Sequence, residues 1–582
     1  MQNESEINLE DEKENSELKS EKKVKTKIKK DIKWTSISFN ILVVICISIF
    51  AIAISPKELQ NDTFYTIKLG EEIYNNGIDN LTKDNYSWHD LPYTYPHWLY
   101  DLSIFIIYNS FGHLGIYVST MVLTSLLGIS IYILSNKKSK NRVVSFLITL
   151  CALWLVKPFI AARAQLVTFI LFVWEIYVLE KLLETNKFRY IIPLALIPLL
   201  ISNIHSAVYP FYFVLLLPYM ASEFLCSITE LNIDLVFVNF KNLIQKAFTK
   251  DEENKKIIDE KIQKVNEAIK LRDKKRIELR KKPYKVRVNR YKGIIIVLLL
   301  IIPLFSIGLL NPVNNDSYTY LIRTLEGNTT RSINEHKPMV VADNTNYMIA
   351  IAAFALILIF TDTKINFADV FMLGGLTYLS IKSVRQESMF AILCLPILAG
   401  LIGEFVNKYD KSTFDKIEKF FSKAFGGFVL ICLFIILGTN LIKDNLYKEY
   451  ISDSEYPVEA SKWIKENLDY KNIKLYNEYN YGSYLLLEGI PVFIDSRCDL
   501  YTPQFNADPK NNIEGRDIFS DALDIAANEV NYNVKFDQYG VTHVMIKDYT
   551  NLAKALSSDK GYKLLYHEDE FMIFERLNAV SK

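Results

Sequence analysis

The sequence predicts an α-helical multi-pass membrane protein carrying a small α/β domain at its C-terminal end. Uncharged apolar runs of about 18 residues recur up to residue 445, each long enough for a helix to cross a hydrocarbon core roughly 30 Å thick. Lys and Arg crowd some of the connections between these runs and avoid others, the signature of the positive-inside rule. Beyond residue 446 the pattern changes. Short apolar stretches IKLY (473–476), PVFID (491–495), VTHVMI (541–546), YKLLYH (562–567) and FMIFE (571–575) read as buried strands. Helical stretches such as PVEASKWIKENL (457–468) separate them, which is the order of an α/β layer.

Composition alone would not reveal the membrane. Of 582 residues, 50% are hydrophobic and 13% aromatic, and the mean hydropathy is only +0.10. The net charge of +1 conceals segregated charge, so it gives no reason to expect a nucleic-acid partner and makes the local clusters topology signals. Five of the six cysteines (Cys46, Cys151, Cys226, Cys394, Cys432) fall in or beside apolar runs and act as small hydrophobes, leaving only Cys498 in a soluble stretch. No metal-ligand spacing or disulfide framework follows from them. Residues 1–36 are polar and end in KKVKTKIKKDIK, without a cleavable signal. They are expected to form a disordered basic tail on the cytoplasmic side.

From a cytoplasmic start, spans fall near 37–55, 114–135, 143–160, 165–183, 189–202, 207–226, 293–310, 347–361, 368–384, 388–406 and 425–442, about eleven in all. The connections NKKSKNR (136–142), NKFR (186–189), 227–292 and 407–423 then lie inside and are basic, while TDTKINFAD (361–369) is weakly so. WLYDLSIFIIYNSFG (98–112) is read as a helix in the outer interface. Residues 37–445 thus form the membrane domain, with a first outer loop at 57–113, a charged cytoplasmic loop at 227–292 and an outer loop at 311–346. Within the charged loop, 250–282 reads as a solvated amphipathic helix or hairpin. The C-terminal domain, 446–582, lies outside a plasma membrane.

This topology places all seven histidines on one side, together with polar residues at span ends: Arg163, Asn203, His205, Asn311, Glu335, His336 and Arg385. Ionisable groups near membrane depth are costly and face a cavity or each other, so the set predicts a polar cavity roofed by the C-terminal domain. Arg163 and Arg385 suit a phosphate or pyrophosphate, while Asp62 and Glu335 suit a general base or metal ligand. The aromatic loop DNYSWHDLPYTYPHWLY (84–100), with His97 and Trp98, suits a wall against sugar faces or lipid. In the outer domain, Asp495 and Arg497 either pair with each other or face the cavity. Gly482 reads as the residue of a tight strand-to-helix turn.

The order Asp62-Thr-Phe-Tyr, Gly70-Glu71, Asp84-Asn-Tyr-Ser87, Pro96-His97-Trp98-Leu99, Arg163-Ala-Gln165, Asn203-Ile-His205, Asn311-Pro312, Ile333-Asn-Glu335-His336-Lys-Pro338, Arg385 resembles bacterial members of the GT-C glycosyltransferase superfamily. These are related to polyprenyl-phosphate-sugar-dependent enzymes such as protein mannosyltransferases. The sequence departs from the pattern at Ala164, where proline is expected, and at His336, where tryptophan is expected. The stretch around Tyr479-Asn480-Tyr481-Gly482 is loosely similar to the acceptor-recognising motif of oligosaccharyltransferases. The resemblance implies sugar transfer from a polyprenyl-phosphate-linked donor to a cell-envelope glycan, lipid or protein. It makes Asp62 the base or metal ligand and admits Mg or Mn as a cofactor. The alternatives are a lipid-linked oligosaccharide ligase or polymerase of another fold, and a non-catalytic assembly or transport protein. A transporter would show broken helices at the bilayer midplane and an internal repeat, and the sequence shows neither.

Overall fold

The computed structural model describes residues 35, 37–78, 82–185, 187–249, 251–281, 286–287, 300–301, 304–306, 308–313, 316–327, 329, 333–507, 514–568 and 570–577. The expected N-terminal tail, the basic end of the charged loop and most of the expected span 293–310 lie outside these residues.

The membrane bundle contains α1 (Ile37–Ile54), α3 (Trp98–Ser139), α4 (Arg142–Val156), α5 (Ala164–Thr185), α6 (Ile191–Ile204) and α7 (Tyr209–Leu231). It continues with α11 (Thr345–Phe360), α12 (Phe367–Lys382), α13 (Glu387–Tyr409) and α15 (Ala424–Leu446). The intervening elements are α2 (Asn61–Asn76), a hairpin of α8 (Ile233–Phe248) and α9 (Glu252–Lys281), α10 (Asp316–Glu326) and α14 (Lys411–Phe421). Among the described residues, 5 helices are long and apolar enough to cross a membrane: Ile37–Ile54, Trp98–Ser139, Arg142–Phe159, Val384–Tyr409 and Ala424–Lys443. Three apolar helices are shorter: Phe188–Ile204, Ser206–Ser222 and Thr345–Phe360. Of the eleven expected spans, most of 293–310 lies outside the described residues, and others fall short in length or apolarity for local reasons. Thus α12 has only 16 residues, and α5 carries Glu175, Glu180, Lys181 and Glu184 within its 22.

Residues 98–112 were expected as a separate interfacial helix. They are continuous with the following span, and the break falls at Gly112, whose φ of 60° and ψ of −154° lie in a region open essentially to glycine alone. The half before the break packs on α2, with Phe64, Tyr65, Ile67, Tyr100 and Ile104 in one apolar cluster. The half after it joins the main bundle core through Leu127, Ile131 and Leu134. At the far end of that half, Lys138 bonds Glu180 at 2.5 Å and Asp369 at 2.8 Å, tying α3, α5 and α12 together. Glu180 and the N-terminus of α5 are separated by about 25 Å of helix, so the two ends of the bundle are well defined.

The C-terminal unit contains α16 (Val458–Asn467), β1 (Leu475–Tyr476), α17 (Tyr479–Leu487), α18 (Ile518–Ala527), α19 (Tyr532–Tyr539), β2 (His543–Lys547), α20 (Asn551–Ser558), β3 (Tyr562–Glu568) and β4 (Phe571–Arg576). The sheet order is β1-β2-β4-β3. β1 runs parallel to β2 (Tyr476 opposite Val544), and the other two pairings are antiparallel (Val544 opposite Phe574, Tyr562 opposite Arg576). One expected strand is absent. Residues 492–495 are buried outside the sheet: Val492 makes an isolated parallel bridge to Ser87, while Asn477 Oδ1 accepts from Phe493 N and its Nδ2 donates to Ile494 O. α17 comes so close to this segment that a Cβ at Gly482 would lie 1.9 Å from Ile494 O. Gly482 is therefore required by close backbone approach, not by the turn expected from sequence.

Candidate active site

Asp62 stands in the first turn of α2, where the unpaired amides of a helix N-terminus favour a carboxylate. The N-terminus is held from two sides: Thr63 Oγ1 donates to Ala162 O at 3.4 Å, and Asn61 Nδ2 donates to Tyr479 O at 2.9 Å. The first bond brings Asp62 beside Arg163, which immediately precedes α5. Arg163 Nε lies 3.0 Å from Asp62 Oδ2, and its Nη1 donates to Glu335 Oε1 at 3.4 Å. Burial pulls the Arg163 guanidinium down, but the charges of Asp62 and Glu335 outweigh it and hold the group above its ordinary value.

Glu335 and His336 occupy one helical turn (Asn334–His336), fixed to the segment before α13 by Ser383 Oγ donating to Glu335 O at 3.1 Å. Arg385 follows in that segment. Its Nη2 donates to Gln165 Oε1 at 3.3 Å and its Nη1 lies 3.4 Å from His336 Nε2. Both partners are neutral. Burial pushes His336 down to about 4, with Arg385 adding to the shift and Glu335 opposing it. His97 and His205 lie with ring centroids 4.8 Å apart, the rings tilted by 59°, at the same end of the bundle. Burial takes His97 to about 4, helped by Arg385 and opposed by Asp62. His205 falls well below 6.5 through burial and the charges of His97 and Arg385. All three imidazoles are neutral at physiological pH.

The C-terminal unit closes over this cluster. Thr324 Oγ1 of α10 donates to Asp499 Oδ2 at 3.2 Å. Burial raises Asp499, opposed by its bonds to Tyr320 and Thr324 and by the charges of Arg385 and Arg323.

Asp62, Glu335, Arg163, Arg385, His97 and His205 therefore meet at one end of the bundle, with Trp98 partly buried in the apolar cluster beneath. His336, named from the sequence with the other polar residues at span ends, joins them, and so do Gln165 and Asp499. The signal of the last two in the sequence was proximity: each sits within two residues of a position already singled out.

Tyr481, Asp495 and Arg497 do not join the cluster. Tyr481 is fully buried, its hydroxyl donates to Met545 O at 2.9 Å, and it completes a capping box with Glu478. Arg497 forks onto Asp495 (Nε to Oδ1 2.9 Å, Nη2 to Oδ2 2.7 Å) and reaches Asp84 Oδ1 at 2.8 Å, with all three side chains at most 3% exposed. This is a structural ion network joining the first loop to the C-terminal unit. The loop's aromatics serve the same junction rather than a sugar wall. Trp88 Nε1 donates to Leu475 O at 3.1 Å, Tyr95 is buried, and Arg497 lies 4.9 Å over the Tyr93 ring.

The sequence admits Asp62 as a general base or as a metal ligand. Among the described residues, no group of three or more His, Cys, Asp or Glu side chains is placed to hold an ion. The two acids of the cluster beside Arg163, Asp62 and Glu335, both bind its guanidinium. The residues do not fit a divalent cation.

No protein-family model and no curated protein matches the sequence. Solved structures do. The apo oligosaccharyltransferase of Archaeoglobus fulgidus superposes with a TM-score of 0.51 at 12% identity, covering 87% of this chain and 69% of that one. The chain shares the fold of this oligosaccharyltransferase. The enzyme from the same organism tethered to an acceptor peptide containing the NVT sequon gives a TM-score of 0.50 at 11% identity, covering 94% and 74%. Its complex with an inhibitory peptide and a dolichol-phosphate gives 0.49 at 12%, covering 92% and 74%. The helical bundle with a small C-terminal α/β unit expected from the sequence is the fold shared with the apo enzyme.

Proposed function

We propose that this protein is a membrane glycosyltransferase that moves a sugar from a polyprenyl-phosphate-linked donor to an acceptor at the end of the bundle capped by the C-terminal unit. One observation carries the reading. Arg385 is oriented by two neutral groups, Gln165 and His336, so no carboxylate in that pair consumes its charge, and it stands beside the Asp62–Arg163–Glu335 cluster. A guanidinium held in this way recognises a phosphate by paired hydrogen bonds.

In the reaction, the bond from the anomeric carbon to the donor's phosphate oxygen breaks as a bond to the acceptor forms, with inversion. The electron pair leaves with the phosphate, whose growing charge Arg385 and Arg163 stabilise. The acceptor's proton passes to Asp62 as general base. Fixing both reactants before the step removes much of its entropic cost. The acceptor can be a glycan, a lipid or a protein, and the peptide tethered to the Archaeoglobus fulgidus enzyme makes a peptide the first acceptor to try. The shared fold weighs against a ligase of unrelated architecture.

The test uses the full chain in detergent. Undecaprenyl phosphate should raise the unfolding temperature, undecaprenol should not, and Arg385→Ala should remove the effect. At a hundred times Kd the stabilisation is about 2.7 kcal/mol. Asp62→Asn should keep lipid binding and lose transfer. Equal stabilisation by the alcohol, or full transfer by Asp62→Asn, refutes the reading.

A further inference from the structure

Asp62, Glu335, Arg163 and Arg385 at the centre of the cluster carry a formal charge that sums to zero. Arg163 is shared by both acids, through Nε at 3.0 Å to one and Nη1 at 3.4 Å to the other. A divalent cation bridging those acids would have to lie about 2.0–2.2 Å from an oxygen of each, in the space the guanidinium already fills. It would also leave these four side chains with a double positive charge at a partly exposed site, where no group of three or more His, Cys, Asp or Glu among the described residues is placed to complete its shell.

We propose that Arg163 takes the place of a metal in this centre: its guanidinium bridges Asp62 and Glu335, the site does not take up a divalent cation, and removing Arg163 uncovers a two-carboxylate metal site. The inference builds on the transferase reading above and names the group that supplies fixed positive charge to the leaving phosphate. Arginine keeps its charge at every accessible pH and cannot be chelated, so the centre carries that charge permanently. It is also planar and directional, so it orders both carboxylates at once, which a mobile hydrated ion does less well.

The experiment titrates Mn²⁺ into the purified full chain and reads free Mn²⁺ by electron paramagnetic resonance, without any turnover. Wild type, Asp62→Asn, Arg163→Gln, Arg163→Ala and the double variant Arg163→Gln/Asp62→Asn are compared, each first checked for its unfolding temperature. Wild type should bind no ion in an Asp62-dependent manner. A folded Arg163 variant should gain one site at least about tenfold tighter, and the double variant should lose it. A wild-type site abolished by Asp62→Asn overturns the proposal. So does a folded Arg163 variant that gains no site. If neither Arg163 variant folds, the comparison of wild type with Asp62→Asn decides alone. Failure of undecaprenyl phosphate to bind would remove the transferase reading while leaving the Mn²⁺ result standing, so the two are told apart.

Discussion

Replacing Arg497 with methionine should be among the most damaging single changes available in this chain, although Arg497 does not touch the cluster around Asp62. Its guanidinium makes three short contacts, at 2.9 and 2.7 Å to Asp495 and 2.8 Å to Asp84, and the three side chains are 3%, 0% and 0% exposed. Methionine fills most of the volume but leaves two carboxylates buried with their cation gone. Breaking a buried pair costs about 3–5 kcal/mol, because the surviving charge stays desolvated. Here two charges survive. Some of that is offset locally: Tyr501 donates to Asp495 Oδ2 at 2.6 Å, and the Ser87 amide donates to Asp84 Oδ2 at 2.8 Å. The upper part of the range, about 4–5 kcal/mol, is therefore expected. The assay is urea unfolding of the full chain in detergent, followed by near-ultraviolet circular dichroism. The triple variant Asp84→Asn/Asp495→Asn/Arg497→Met removes the stranded charges and should recover most of the loss, a coupling of at least about 2 kcal/mol. A loss below about 1 kcal/mol in Arg497→Met, or no recovery in the triple variant, would refute the view that buried charge holds this junction.

Gly482→Ala should cost roughly 2–3 kcal/mol by the same assay, since its Cβ would sit 1.9 Å from Ile494 O and that segment carries the Asp495 end of the junction. Unchanged stability would mean that α17 moves away freely. Acid should also destabilise the protein through its neutral histidines. His97 and His336 both stand at about 4, below an unfolded value of about 6.5, so unfolding takes up a proton at each between those limits. Their contribution is complete above pH 6.5 and is lost as the pH falls towards 4, by up to about 1.4 kcal/mol per pH unit for each. His97→Gln should flatten the dependence of the urea midpoint on pH over that window, and an unchanged slope would show that His97 is solvated.

The meeting of Asp62, Arg163, Glu335 and Arg385 was legible from sequence because each lies where an apolar run stops. Helices of similar length stacked in one bilayer bring their ends to the same level. Which acid meets which base was not legible. The partners lie between 48 and 172 residues apart in the chain, and only packing fixes them: Thr63 on Ala162 carries Asp62 to Arg163, and Ser383 on Glu335 carries the acid to the segment holding Arg385. The alternation Asp495-x-Arg497 announced an ion pair, but its third member, Asp84, comes from a loop about four hundred positions earlier, and no periodicity relates the two. The same loop hid the main architectural fact. Its tyrosines and tryptophan have the composition of a sugar-binding wall, yet Leu91 is buried in the core of the C-terminal unit and His89 bonds Phe493 O at 2.9 Å. Residues 82–95 thus complete the C-terminal fold from the other end of the chain. Asp62 is consequently positioned twice, through Ala162 by the bundle and through Tyr479 by the C-terminal unit. A carboxylate fixed by both bodies can register their relative position, so damage at Arg497 should disturb the Asp62–Arg163 contact without altering either residue.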